Sequence, residues 1–468
     1  MRTKHTRSLI FFFTLVLIST GCNIRDTLQS PITQTAIPTA TSKPQPSSSP
    51  TQTAPTMEIS PSATTEGIRC PPLSADILAE IDEIEDQVVT LRGLRPVTPV
   101  NRSLLTPEQL RQRVIDDFLA DYSQQEAQDD ALVLALFGLL DPGFDLLSFY
   151  IDLYSEQIAG FYDDNTKEMA IICGKGFEGP QRITYVHEFT HALQDQIYDF
   201  KDGLGYDEES CELDSERCAA ILSLTEGDAT LVEKQWLEVY ASEEDLTELI
   251  EFIGELETPI YDAAPRFIRQ DLLFPYLAGL GFIEALFLDG GWAAIDAAYN
   301  DLPLSTEQIL HHKRYPKDVP VRLVTPEVSD VLGQGWHEID RGTLGEWYTQ
   351  LMLNEFLPKV DAVRAAEGWG GDTYLVFHND ETSQDILILI TQWDTVRDVH
   401  EFFAIFADYS DARYGGRKQA SAYVSTWEGE GFYIHSEHIS NQSLWILAPD
   451  AATAEALRQT IRLPIREE

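Results

Sequence analysis

Basic residues are scarce in this chain. Its 468 residues carry 33 lysines and arginines against 77 aspartates and glutamates, a net charge of −44. No basic patch is available to displace counterions from phosphates, which excludes nucleic acid as a partner. The acid excess reads instead as a soluble surface in an external medium. Cysteine is sparse too, at five residues with no CxxC pair, which argues against a four-cysteine zinc site. The apolar run near the N-terminus, Leu9 to Ile18, falls far short of the roughly 20 residues that a membrane-spanning helix needs. Histidine numbers only 10, so any pair at ligand spacing stands out.

Arg2, Lys4 and Arg7 precede that run, and small residues and Cys22 follow it, as in a secretory signal. The ending "LISTGC" resembles a bacterial lipobox, departing from it at Ser19, and marks Cys22 as the lipidated residue. Ordinary secretion and an uncleaved anchor are the alternatives. From Gln29 to Thr65 the chain is rich in Ser, Thr, Pro and Gln. Such a stretch buries too little apolar surface to offset its ordering entropy and is expected to be a disordered tether. The expected plan is a signal over 1–21, lipid and tether over 22–69, a main domain over 70–325 and a second over 326–468. The four cysteines beyond Cys22 suggest two disulfides in an exported chain. Three pairings are possible; Cys211–Cys218 as a local loop and Cys70–Cys173 as a longer staple are favoured.

Ser74 to about Leu140 reads as helices, with Thr106, Pro107 and Gln109 forming a capping box. "IAGFYDD" and "EMAIIC" read as strands joined by a turn at residues 163–166. Helices are expected around Ile183–Phe200 and Cys218–Tyr240, and helical periodicity continues to about Asn300. Near Pro320 the texture changes to strands such as "DILILITQWD" and "SLWILAP", with helices near Thr395–Tyr409 and Ala451–Ile461. The expected class is α+β: a mainly helical domain with a small edge sheet, then a smaller domain with an antiparallel sheet and helices on one side. His378, His400, His435 and His438 are scattered and read as surface or packing residues.

The chemistry concentrates in "ITYVHEFTHALQDQIYDF". His187 and His191 lie four apart and stack on one helix face, beside the apolar seam of Ile183, Val186, Thr190, Leu193 and Ile197. Two imidazoles so placed can chelate one cation, and Glu188 can reach a water on it without being a ligand. With so few histidines, a chance match is on the order of one per cent. A catalytic zinc commonly takes three protein ligands. "ILSLTEGDATLVEKQW" offers Glu226, a carboxylate bordering a core seam, where it would be costly unless it met a cation. Gly227 costs roughly 1 kcal/mol against alanine, which close approach to the first helix would offset.

HEFTH followed by EGDA on the next helix resembles the gluzincin branch of the zincin metallopeptidases, and with it a group of bacterial exported zincin-like proteins. The likeness spans about Gln157 to Tyr240, weakens over Phe274–Tyr315 and implies little for the tail. It implies a zincin-like fold, one Zn2+ held by His187, His191 and Glu226, and Glu188 as general base. Some gluzincins carry an aspartate four residues after the ligand glutamate; here Thr230 stands there, leaving Asp228 and Asp195 as candidates for orienting a ligand histidine. His311 and Tyr315 are candidates for donating to the oxyanion of a peptide under attack. "EMAIIC" is expected to be an edge strand on which an extended peptide could pair. The reading that follows is a lipid-anchored zinc endopeptidase at the outer face of the cell membrane, with a peptide or protein substrate. The alternative is a non-catalytic envelope protein on the same scaffold.

Overall fold

The computed structural model describes residue 70 and residues 73–120, 122–173 and 176–465. The signal, Cys22 and the tether lie outside the described residues.

Four helices frame the first part of the chain. Helix α1 (Ala75–Arg92) starts where the Ser74 hydroxyl accepts from the Ile77 amide, and stops at Gly93, whose φ of 83° only glycine adopts without strain. Helix α2 (Gly179–Tyr198) carries the histidine pair and is buried from Gly179 through Asp195 except at Arg182. Helix α3 (Ser215–Val239) carries Glu226, and α4 (Arg266–Gly290) packs along it. Thr106 and Gln109 form the expected capping box. Cys70–Cys173 and Cys211–Cys218 are the disulfides, each with a Cα–Cα distance of 5.5 Å.

Gly227 faces α4, not α2 as expected. A Cβ there would lie 2.3 Å from the backbone of Gly279, and one on Gly279 would lie 2.1 Å from the Ser223 carbonyl. The two glycines let α3 and α4 touch backbone to backbone.

Three strands lie beside α2: β1 (Asn101–Leu105), β2 (Gly160–Asp163) and β3 (Glu168–Ile172). Their order is β1-β3-β2, with β1 parallel and β2 antiparallel to β3. The expectation that "EMAIIC" forms an edge is therefore overturned, because β1 covers its outer side. Five residues of "NRSLL" inside a helix-rich stretch gave too short a pattern to read as a strand.

The rest of the chain builds a seven-stranded antiparallel sheet: β4 (Trp336–Gly342), β5 (Trp369–Asn379), β6 (Gln384–Trp393), β7 (Arg417–Ala420), β8 (Val424–Gly429), β9 (Phe432–Ile439) and β10 (Gln442–Ala448). The order is β4-β5-β6-β10-β9-β8-β7. Helices α6 (Gly345–Phe356) and α7 (Val396–Tyr414) cover one face, where Leu387, Leu389 and Trp445 meet Phe402 and Phe406. Ile386, Ile388, Leu444 and Ile446 point the other way, against Ala454 and Leu457 of α8 (Ala451–Thr460) and the loop residues Leu323, Val328 and Leu332. Both faces are covered, which corrects the one-sided sheet expected from sequence. Phe137, Leu140, Leu153 and Phe267 complete the core of the first face, so the helical part and the sheet share a core.

A candidate metal centre

The apolar stripes of α2 and α3 press the two helices together and bring the predicted polar residues into a dry interior. His187 is 1% exposed, Glu188 0%, His191 0% and Glu226 1%. The Nε2 atoms of His187 and His191 lie 3.0 and 3.3 Å from the same oxygen, Oε2 of Glu226. Two bonds of about 2.1 Å at a tetrahedral angle place their donor atoms about 3.4 Å apart, so this spacing suits one small divalent ion. All three ligand atoms lie within 4.8 Å of one another.

The outer nitrogens are tied down as well. His187 Nδ1 lies 3.2 Å from Glu233 Oε2. His191 Nδ1 lies 2.8 Å from Gln194 Oε1, and the Gln194 amide donates in turn to the Thr225 carbonyl at 3.1 Å. An acceptor at Nδ1 fixes a proton there, so that Nε2 is the atom left to meet a cation, the arrangement usual around metal-bound histidines. Burial works to lower the pKa of His187, but Glu226 and Glu233 outweigh it and raise it to about 10. Burial likewise opposes the Glu226 carboxylate, yet the two imidazoles hold it below the usual range.

Glu233 and Gln194 were missed in the sequence, though a signal for Glu233 exists. Seven residues turn a helix to within about 20° of its starting direction, so Glu233 lies two turns from Glu226 on one face. The aspartates considered for this task serve elsewhere. Asp228 accepts from Arg92 Nε at 2.8 Å and from the Tyr299 hydroxyl at 2.9 Å, all buried. Asp195 accepts from the Tyr162 hydroxyl at 2.7 Å and from Lys167 at 2.5 Å.

His311 and Tyr315 have partners of their own. His311 follows the short helix α5 (Thr306–Leu310), and its Nε2 lies 2.9 Å from Glu346. The Tyr315 hydroxyl donates to the Asp301 carbonyl at 2.6 Å. A cleft of about 1570 Å³ reaches Glu226, and the tyrosines that line it there are Tyr206 and Tyr276. The Tyr276 ring centroid is 6.1 Å from that of His187. Among the described residues lining this cleft, neither His311 nor Tyr315 appears.

A second acidic group, Glu307, Asp318 and Asp394, also has metal-ligand spacing. Arg314 Nη1 already sits among them, at 2.7, 3.0 and 2.6 Å. A guanidinium thus fills the position a cation would take, and the group joins the helical part to the sheet.

A domain of unknown function (DUF8575) matches residues 331–458, the stretch that forms the seven-stranded sheet. No curated protein and no solved structure matches the chain.

Proposed function

We propose that this chain is a zinc-dependent peptidase working outside the cytoplasm. One observation carries the reading: two Nε2 atoms converge on one oxygen of Glu226 while both Nδ1 atoms are held by acceptors on the far side. A bound zinc ion supplies Lewis acidity and brings the pKa of a water to about 7. The protein's part is positional. Glu233 and Gln194 keep the imidazoles in one tautomer and orientation. Glu188, buried next to His187 in the chain, takes the proton from the attacking water and delivers it to the departing amine. Tyr206 and Tyr276 share the cleft with Glu226 and are candidates for donating to a developing oxyanion. The two disulfides fit an extracytoplasmic location. In this reading the protein is held at the membrane by lipid on Cys22, with the Ser/Thr/Pro-rich segment as its tether.

The test is substitution of the base. Glu188→Gln is expected to retain stoichiometric zinc by elemental analysis of the purified protein and to lose cleavage of a peptide library. Cleavage that continues undiminished in Glu188→Gln, or in wild type freed of zinc by a chelator, defeats the proposal.

A further inference from the structure

The cleft that reaches Glu226 has a character of its own. Pockets for small ligands span about 300–1,000 Å³, and this one, at about 1570 Å³, has room for several residues of an extended chain. It runs between the helical part and the seven-stranded sheet, so both parts of the molecule line it. Eleven carboxylates border it against two guanidinium groups, a steeper ratio than the 77 to 33 of the whole chain. Both arginines are engaged by lining acids, Arg322 with Asp214 at 2.6 Å and Arg341 with Glu338 at 2.5 Å.

The lining acids divide into two groups. Glu216 and Asp372 are buried and serve the fold: Glu216 accepts from the Thr306 amide at 2.8 Å, and Asp372 from the Leu344 and Gly345 amides at 2.7 and 2.8 Å. Asp129, Glu212 and Asp380 retain contact with water, the last 74% exposed, and come from three separate parts of the chain around the cleft. Aromatic rings line the same cleft. Tyr150 and Tyr154 stack with centroids 5.4 Å apart and planes 7° from parallel, and Trp347 stacks on Phe274 at 4.4 Å. Carboxylates beside aromatic faces attract ammonium and guanidinium groups through charge and through the ring quadrupole. Low-dielectric walls focus such a field and raise the local concentration of an oppositely charged ligand by about 10-fold to 10³-fold.

We infer that this cleft takes an extended polypeptide segment rich in lysine and arginine, presented past Glu226 on its wall. The inference rests on the peptidase reading and names its substrate class. An acidic segment meets repulsion along the whole cleft, and a compact metabolite leaves most of it unfilled.

The test uses the full chain carrying Glu188→Gln and three fluorescein-labelled peptides of equal length and apolar content, bearing Lys and Arg, Gln, or Glu at matched positions. Fluorescence anisotropy is expected to give at least about tenfold tighter binding for the cationic peptide than for the Gln peptide, narrowing as salt rises from about 0.05 to 0.5 M. Adding Asp129→Asn, Glu212→Gln and Asp380→Asn together is expected to remove about tenfold of that preference, with zinc content and melting temperature unchanged. Equal binding of the three peptides, or a preference that survives the triple substitution, overturns the inference. So does displacement of the cationic peptide by spermine at equal charge concentration, which indicates a diffuse cation atmosphere. Two outcomes separate this inference from its premise. Cationic preference in binding without cleavage by wild type removes the peptidase reading and leaves the cleft's. Equal cleavage of all three peptides does the reverse.

Discussion

Asp228 and Glu233 are five residues apart on α3, and the difference between their partners sorts two kinds of damage. Glu233 holds His187 Nδ1 at 3.2 Å. Removing such an acceptor typically costs about 10- to 100-fold in metal affinity, so Glu233→Gln is expected to weaken zinc retention in a competition against a chelator by that factor while the melting temperature stays close to wild type. Asp228 instead balances Arg92, whose side chain is 0% exposed and lies over the Trp292 ring at 4.6 Å. Asp228→Asn leaves that guanidinium with Asp296 alone, at 2.8 Å. Breaking a buried pair costs about 3–5 kcal/mol; the expected loss is about 3 kcal/mol in denaturant unfolding, with metal affinity per folded molecule preserved. If both variants lose zinc and stability in parallel, the division of labour is wrong. The trio was legible because histidines are few and an acid bordering an apolar seam asks for a cation. Its supports were not, since a search confined to four residues after Glu226 stops short of Glu233, and a glutamine three after a histidine on a buried helix carries no charge to draw notice.

At the scale of elements, periodicity revealed α2, α3, β2 and β3 but not their neighbours. Which strand lies at a sheet edge depends on partners distant in the chain, and β1 reaches β3 from more than sixty residues away, Asn101 pairing with Glu168. The covering of both sheet faces did leave a trace. "ILILI" in β6 is apolar at every position, as strands buried on both faces are, and alternation would have marked a one-sided sheet. Gly227 likewise announced a close approach without naming the partner. Because a methyl group there meets the backbone of Gly279 at 2.3 Å, no rotamer change relieves it. Gly227→Ala is expected to cost about 3 kcal/mol, and to reduce zinc retention as well because the displaced residue adjoins Glu226. A matched substitution at Gly254, where a Cβ meets nothing within 4 Å, is the control. Equal melting temperatures for the two variants would contradict the packing argument.

Across the whole molecule, a chain with a net charge of −44 has to bury some of its acids, and several of them sit where the helical part meets the sheet. Glu216 is the clearest. Its carboxyl accepts from the Thr306 amide and hydroxyl, and it lies so close to Gly345 that a Cβ on that glycine would be 1.8 Å from its oxygen. Burial first, then the nearby charges of Asp372 and Asp214, raises its pKa to about 8. Asp372 is raised to about 6, chiefly by burial. For an acid whose pKa is higher in the folded state, the fold binds the proton more tightly than the unfolded chain does. The resulting stability is complete below the ordinary carboxyl pKa and disappears as pH rises through the folded value. Glu216 therefore contributes less with each step from about pH 5 to pH 8, whereas the Asp372 contribution is spent by about pH 6. The melting temperature is expected to fall by on the order of 5 °C between about pH 6.5 and pH 9. Glu307, raised to about 9, and Asp130, raised to about 7, both chiefly by burial, act in the same direction, so the slope alone does not identify its source. Glu216→Gln isolates the Glu216 share, because the amide keeps an acceptor for Thr306 but binds no proton in this range. The variant is expected to melt along a visibly shallower line over that interval, and two parallel lines would assign the pH dependence to the other buried acids instead.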